Sequence, residues 1–279
     1  MPLFFFISGY FVPRSYDKCG FVTFLKKKLI RLGIPLLVVS VIASFLLHGF
    51  QLGHAWFLES LLLFCIVYSL LYNYTDYSIK EQKDSEPTIL LLFILSLGVG
   101  IGSWAICKVY EPEQWANLLG FIQCTPTQYL QYITMFVMGI VSYRLHWLQN
   151  LSDRFGAISF IITGLLALGI CLIPYSVYSS HRHLYAIYQS FLCVFGCFGL
   201  TWAFKKFLNG TNKFLKWCSE QSYGAYIFHT PILIIFEYAT AQLYMNVYLK
   251  WLIICILTVC CSFIFTWALK LIPKVNKVL

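Results

Sequence analysis

The amino-acid sequence predicts an all-α, polytopic integral membrane helical bundle of about nine spans, and three observations carry that prediction. The composition is 59% hydrophobic, 19% aromatic and only 11% charged, too few charges to clothe the surface of a soluble domain. Apolar segments of membrane-crossing length recur along the whole chain, separated by short polar connections. Lys and Arg sort into alternate connections, so that all but Lys108, Arg182 and Lys250 fall on one side. By the positive-inside bias that side is cytoplasmic, which predicts a multi-pass protein of the cell (inner) membrane with its C-terminus inside. The net charge of +9 thus follows topology, and nucleic acid is excluded as a partner.

The first element, Pro2 to Val12, is mostly apolar and runs into Pro13 and Arg14. At a rise of 1.5 Å per residue it covers about 17 Å of a hydrocarbon core of about 30 Å. A shortened span is expected there, with the chain beginning mid-helix. A basic connection follows, in which Phe24 to Pro35 reads FLKKKLIRLGIP. If this stretch is helical, Lys28 and Arg31, and likewise Lys27 and Arg31, share one face. Such a face suits phosphate groups, and it equally suits the anchoring of a helix end at the membrane surface.

The further spans are expected at Leu29 to Phe50, Trp56 to Tyr74, Thr88 to Cys107, Tyr129 to Tyr143, Phe155 to Ile173, Leu184 to Phe204, Tyr223 to Ala241 and Val247 to Leu271. The longest polar insertion, Asp76 to Pro87, is a short cytoplasmic connection, and no internal repeat is visible. Residues 1–279 therefore read as one transmembrane domain. Most of the 11 cysteines lie inside apolar runs, the pattern of core or lipid-facing thiols and not of a disulfide framework.

Ionisable residues within spans are functional candidates because the bundle or a cavity must solvate them. Glu59, in GHAWFLESLL, lies about one turn beyond His54 and Trp56 near the outer end of its span. It reads as an interfacial carboxylate or as part of a site. His229, in SYGAYIFHTPIL, lies about 10 Å inside the cytoplasmic end of its span. Pro231 follows it and removes a backbone donor, so the ring either answers a freed carbonyl or serves chemistry. Glu237, near the outer end of the same span, reads as interfacial.

Common catalytic signatures are missing: the sequence has no G-x-S-x-G elbow, Walker loop or H-E-x-x-H. No metal site is expected, since His181 and His183 in an outer connection are an isolated H-x-H pair. The GVGIG run from Gly98 to Gly102 sits in an apolar span, where close helix packing explains it.

Five segments taken in order, PLFFFISGYFV, FLKKKLIRLGIP, HAWFLESLLLF, FVMGIVSYR and SYGAYIFHTPI, resemble the membrane-bound acyltransferase 3 family. They are most similar to its fucose 4-O-acetylase and polysaccharide O-acetylase branch. The resemblance implies a ten-helix membrane fold. It also implies transfer of an acyl group, usually acetyl, from cytoplasmic acyl-CoA to a hydroxyl of an envelope polysaccharide or lipid-linked sugar. Its paired-arginine motif falls on Lys28 and Arg31 ahead of Pro35, which implies that these two hold the CoA phosphates. With lysine first, a bidentate contact becomes a point charge. Ser8 and Gly9 match the serine and glycine of the family's second helix, where a small residue allows close packing on the first. His54, Trp56 and Phe57 match the start of its fourth, which implies substrate contact for His54 and Trp56.

The family's first helix, with the histidine proposed as general base, has no counterpart among these residues, so the fold is expected to lack that helix. The catalytic base is then unassigned, with His229 and Glu59 as candidates. The expected activity is acyl transfer to groups other than aminoacyl. The alternatives are a polysaccharide exporter or binding bundle without chemistry, with Trp115, Tyr175 and Tyr178 as sugar platforms, or an inactive fragment.

Overall fold

The computed structural model describes residues 1–46, 53–75, 85–118, 122–172, 181–273 and 275–278. Its helices are α1 (Pro2–Cys19), α2 (Phe21–Lys28), a π turn (Leu29–Gly33), α3 (Ile34–Leu46), a 3-10 turn (Gly53–Ala55), α4 (Trp56–Thr75), α5 (Ile89–Ile106), α6 (Pro126–Arg144), α7 (Asp153–Leu172), α8 (Arg182–Phe207), α9 (Lys213–Thr240), α10 (Val247–Lys270) and a 3-10 turn (Val275–Lys277). One small hairpin interrupts the helices: β1 (Ala116–Leu118) pairs antiparallel with β2 (Ile122–Cys124), Asn117 opposite Gln123. Among the described residues, five stretches are long and apolar enough to cross a membrane: Trp56–Tyr74, Ile89–Ile106, Asp153–Leu172, Leu184–Phe207 and Val247–Lys270. The protein is an all-α membrane protein.

Helix starts follow from local chemistry. Thr88, Asn212 and Asn246 cap α5, α9 and α10, their side-chain oxygens accepting from the N–H groups of Leu91 (3.2 Å), Leu215 (2.7 Å) and Tyr248 (2.9 Å). Each cap satisfies a donor that has no partner within the helix.

Two stretches near the N-terminus are more helical than their apolar residues indicate. The first apolar segment does not stop at Pro13, because α1 continues to Cys19. Its polar end is held by tertiary contacts that composition does not reveal: Tyr16 packs edge-on against Phe24, Tyr68 and Tyr72, and Asp17 pairs with Arg144. The basic connection is helical as well. Lys26, Lys27 and Lys28 close α2, and Arg31 sits in the π turn.

Contacts divide the chain into two units, 1–25 with 63–209 and 26–62 with 210–279, the breaks falling inside α2, inside α4 and between α8 and α9. In the first unit α1 packs on α6, and α8 packs on both α5 and α7. Gly9 and Gly139 make the α1–α6 approach, since a Cβ on Gly9 would meet the Phe136 carbonyl and one on Gly139 the Phe6 carbonyl. Small residues of this kind let membrane helices close to backbone contact. Around this interface Phe6, Leu92, Met135, Val194 and Phe198 form a buried apolar cluster.

At one end of that unit the Arg144 guanidinium grips Asp17 through two bonds, Nη1 to Oδ2 at 2.7 Å and Nη2 to Oδ1 at 3.0 Å. It also donates to the Tyr68 hydroxyl at 3.3 Å and lies 5.4 Å from the Tyr72 ring centre. A buried cation is tolerated when it is paired and bonded in this way.

In the second unit α9 packs on α10. Thr258, Ser262 and Thr266, four residues apart on α10, are buried, and a Cβ on Gly224 of α9 would collide with Thr266. The Ser262 and Thr266 hydroxyls donate back to the carbonyls of Thr258 (2.6 Å) and Ser262 (2.8 Å). Their polarity is thereby satisfied within the helix, and the stripe packs as small residues.

Candidate functional site

All six residues singled out from the sequence, Lys28, Arg31, His54, Trp56, Glu59 and His229, belong to the second unit. The geometry begins at Pro35. Proline has no N–H, so the carbonyl four residues earlier, that of Arg31, loses its helical donor. The chain answers with a π turn, in which the Ile34 N–H reaches back to Leu29. The Arg31 carbonyl takes its hydrogen bond from the Tyr223 hydroxyl of α9. The Arg31 guanidinium in turn lies 5.6 Å from the Tyr223 ring centre, within the range of a cation–π contact.

Arg31 and Tyr223 line a cleft of about 710 Å³ together with Glu220, Gln221, Trp267 and Lys270. The volume is within the range of small-molecule sites. Lys270, at the end of α10, extends its ammonium to the Glu220 carbonyl. Lys28 does not line this cleft. Lys28 closes α2, whereas Arg31 sits in the π turn that follows.

Six residues beyond Tyr223, and about 9 Å further along α9, stands His229. It is half-buried. Its Nδ1 meets the Tyr226 carbonyl, and the Thr230 hydroxyl lies 3.2 Å from its Nε2. A carbonyl oxygen only accepts, so Nδ1 carries the proton, and in the neutral ring Nε2 is the acceptor. The ring thus answers a carbonyl one residue before Ile227, whose own donor Pro231 removes, and α9 continues past Pro231 to Thr240. The helix begins at Lys213, ten residues before the expected start of the span.

The segment matched at the start of α4 is close to the same helix. The 3-10 turn that contains His54 contacts α9, and Phe57 packs edge-on against Tyr226 at 5.6 Å, with Tyr226 in turn 5.7 Å from the His229 ring. Trp56 is buried and stacks edge-on near Phe57. Glu59 is half-buried in the first turn of α4, where the helix dipole favours a carboxylate. The side chains of His54 and His183 lie outside the described residues, as do Tyr175 and Tyr178. Trp115, beside the hairpin, is exposed.

Sequence reasoning did not find Tyr223, Trp267 or Lys270. The signal for Tyr223 was Pro35, which announces an orphaned carbonyl four residues earlier but does not say which side chain answers it.

The apolar helices thus carry a cleft at one helix end whose wall includes Arg31, Lys270, Tyr223 and Trp267. The family model described as an acyltransferase domain matches residues 1–267. The chain belongs to the acyltransferase 3 family and is an acyltransferase of the kind that transfers groups other than aminoacyl groups. No curated protein and no solved structure matches it.

Proposed function

We propose that this acyltransferase belongs to the fucose 4-O-acetylase and polysaccharide O-acetylase branch. It takes an acyl group, acetyl in the simplest case, from cytoplasmic acyl-CoA and transfers it to a hydroxyl of an envelope polysaccharide or a lipid-linked sugar. The single observation that supports this most directly is Arg31, held by Tyr223 at the wall of a cleft large enough for a nucleotide. The guanidinium there suits phosphate recognition.

In the transfer, the acceptor oxygen attacks the thioester carbonyl carbon. An ester C–O bond forms, the C–S bond breaks, and the hydroxyl proton must leave to a base. His229 is the first candidate for that role: with Nδ1–H on the Tyr226 carbonyl, Nε2, beside the Thr230 hydroxyl, takes the proton and returns it to the departing thiolate. On this reading His54 and Trp56 contact the acceptor, and Glu59 is the second candidate base.

The test is release of free CoA thiol from acetyl-CoA by the full chain in lipid nanodiscs, with an added fucose-containing or polysaccharide acceptor. Acceptor-dependent thiol release that falls at least tenfold in Arg31→Ala is the expected result. Acceptor-dependent release unchanged in that variant, with the protein intact, overturns the assignment of Arg31.

A further inference from the structure

The cation pair that the family motif suggests, Lys28 with Arg31, is not the pair that shares the cleft. There Arg31 and Lys270 line the same cavity. Among the described residues neither forms an ion pair: the carboxylate–cation pairs are Asp17–Arg144 and Asp153–Lys206, both in the other unit. Arg31 is held through its own backbone carbonyl and against an aromatic ring, and Lys270 through the Glu220 carbonyl. Neither contact neutralises a charge.

Glu220 is the one acid on the cleft wall, and its backbone, not its carboxylate, receives the ammonium. With two cations and one carboxylate, Glu220, on its wall, the cleft carries a net positive charge that suits an anion. The cleft also carries the exposed face of Trp267, one turn before Lys270 on α10, and the amide of Asn276. A flat apolar ring beside two cations is the wall that a base with attached phosphates fits.

We propose that Lys270 is the partner of Arg31 in binding the phosphates at the nucleotide end of the acyl donor, and that Lys28 is not. This rests on the acyl-CoA reading above. Lys28 belongs with Lys26 and Lys27 as a membrane-face anchor at the end of α2, ahead of the π turn that holds Arg31.

The test is isothermal titration of the full chain in nanodiscs with CoA, which lacks the acyl group, and separately with pyrophosphate, each at low and high salt. Lys270→Gln and Arg31→Gln should each weaken CoA binding about tenfold or more and flatten its salt dependence. Lys270→Arg should restore it, while Lys28→Gln should change it by less than about twofold. Lys270→Gln retains a donor for the Glu220 carbonyl, so a general loss of folding is not built into the experiment, and an unchanged unfolding temperature checks this. Loss of CoA binding in Lys28→Gln with none in Lys270→Gln overturns the proposal and leaves the acyl-CoA reading standing. Pyrophosphate binding that depends on Lys270, in a chain that does not bind CoA, keeps the two-cation site and removes the acyl-CoA reading. A wild-type chain that binds neither probe overturns both.

Discussion

The Tyr223 hydroxyl donates to the Arg31 carbonyl, the group that Pro35 deprives of its backbone donor. Two positions far apart in sequence thereby become dependent on one another. Removal of the hydroxyl in Tyr223→Phe leaves that carbonyl without its partner, at a cost of about 1 kcal/mol, the lower part of the range because Arg31 is exposed. In Tyr223→Phe with Pro35→Ala the helix supplies its own N–H, and the cost should largely disappear. The unfolding temperature of the two variants in detergent checks this. A double variant no more stable than Tyr223→Phe alone would break the link between proline and tyrosine.

The same pair bears on catalysis in a way that stability alone does not. With the π turn unsupported, the guanidinium is held less firmly, so the KM for the acyl donor in Tyr223→Phe should rise about threefold to tenfold with kcat little changed. Steady-state kinetics at varied donor concentration separate this from a general loss of active protein, which would lower kcat and leave KM alone.

How much of this was legible beforehand differs from element to element. The all-α membrane class followed from composition, since 59% hydrophobic residues with 11% charged ones leave a soluble core no surface. The ends of helices were read less well. Apolar content marks where a helix is embedded, whereas α1 and α9 extend into polar residues held by contacts such as Tyr16 on Tyr72 and by the Asn212 cap. At the candidate site, Arg31 was recoverable from the motif and its proline. Its neighbours were not, because Lys270 lies 239 positions away and nothing local to α10 distinguishes it from an anchor at a helix end. A regular helical period predicted one face for Lys28 and Arg31, and that period carries no sign of the π turn in which Arg31 sits.

Gly9 and Gly139 set a sharper test of packing. A methyl group at either would strike backbone of the opposite helix, Phe136 in one case and Phe6 in the other. Backbone cannot swing aside as a side chain does, so Gly139→Ala should destabilise by about 1–3 kcal/mol. Gly98 and Gly164 have nothing within 4 Å of a built Cβ. There the same substitution should be neutral or stabilising by up to about 1 kcal/mol through helix propensity. Unfolding in a denaturing detergent, compared across the four alanine variants, reads the contrast directly.

Asp17 and Arg144 join α1 to α6 beyond the glycine contact. Arg144 is buried, with side-chain exposure of 9% against 37% for Asp17, so the two halves of the pair are not equivalent. Asp17→Asn strands a guanidinium that still has Tyr68 and the Tyr72 ring, and should cost about 2 kcal/mol, below the full range for a buried pair because Asp17 is partly solvated. Arg144→Met with Asp17→Asn removes the stranded charge and should recover part of that loss. A double variant less stable than Asp17→Asn alone would show that Arg144 contributes chiefly through Tyr68 and the aromatic rings.

His229 carries the chemical prediction. If its Nε2 takes the acceptor proton, His229→Ala lowers kcat by about 10² to 10⁴-fold while donor binding, measured with CoA, stays within about twofold. Glu59→Gln on the same reading lowers kcat by less than about threefold. Asparagine separates chemistry from scaffolding: its amide can donate to the Tyr226 carbonyl as Nδ1–H does, but it is no base. His229→Asn should therefore keep the unfolding temperature of the wild type while losing the rate. A variant that loses stability and keeps its rate per folded molecule would make His229 a ring that caps a carbonyl ahead of Pro231 and would move the search for the base to Glu59.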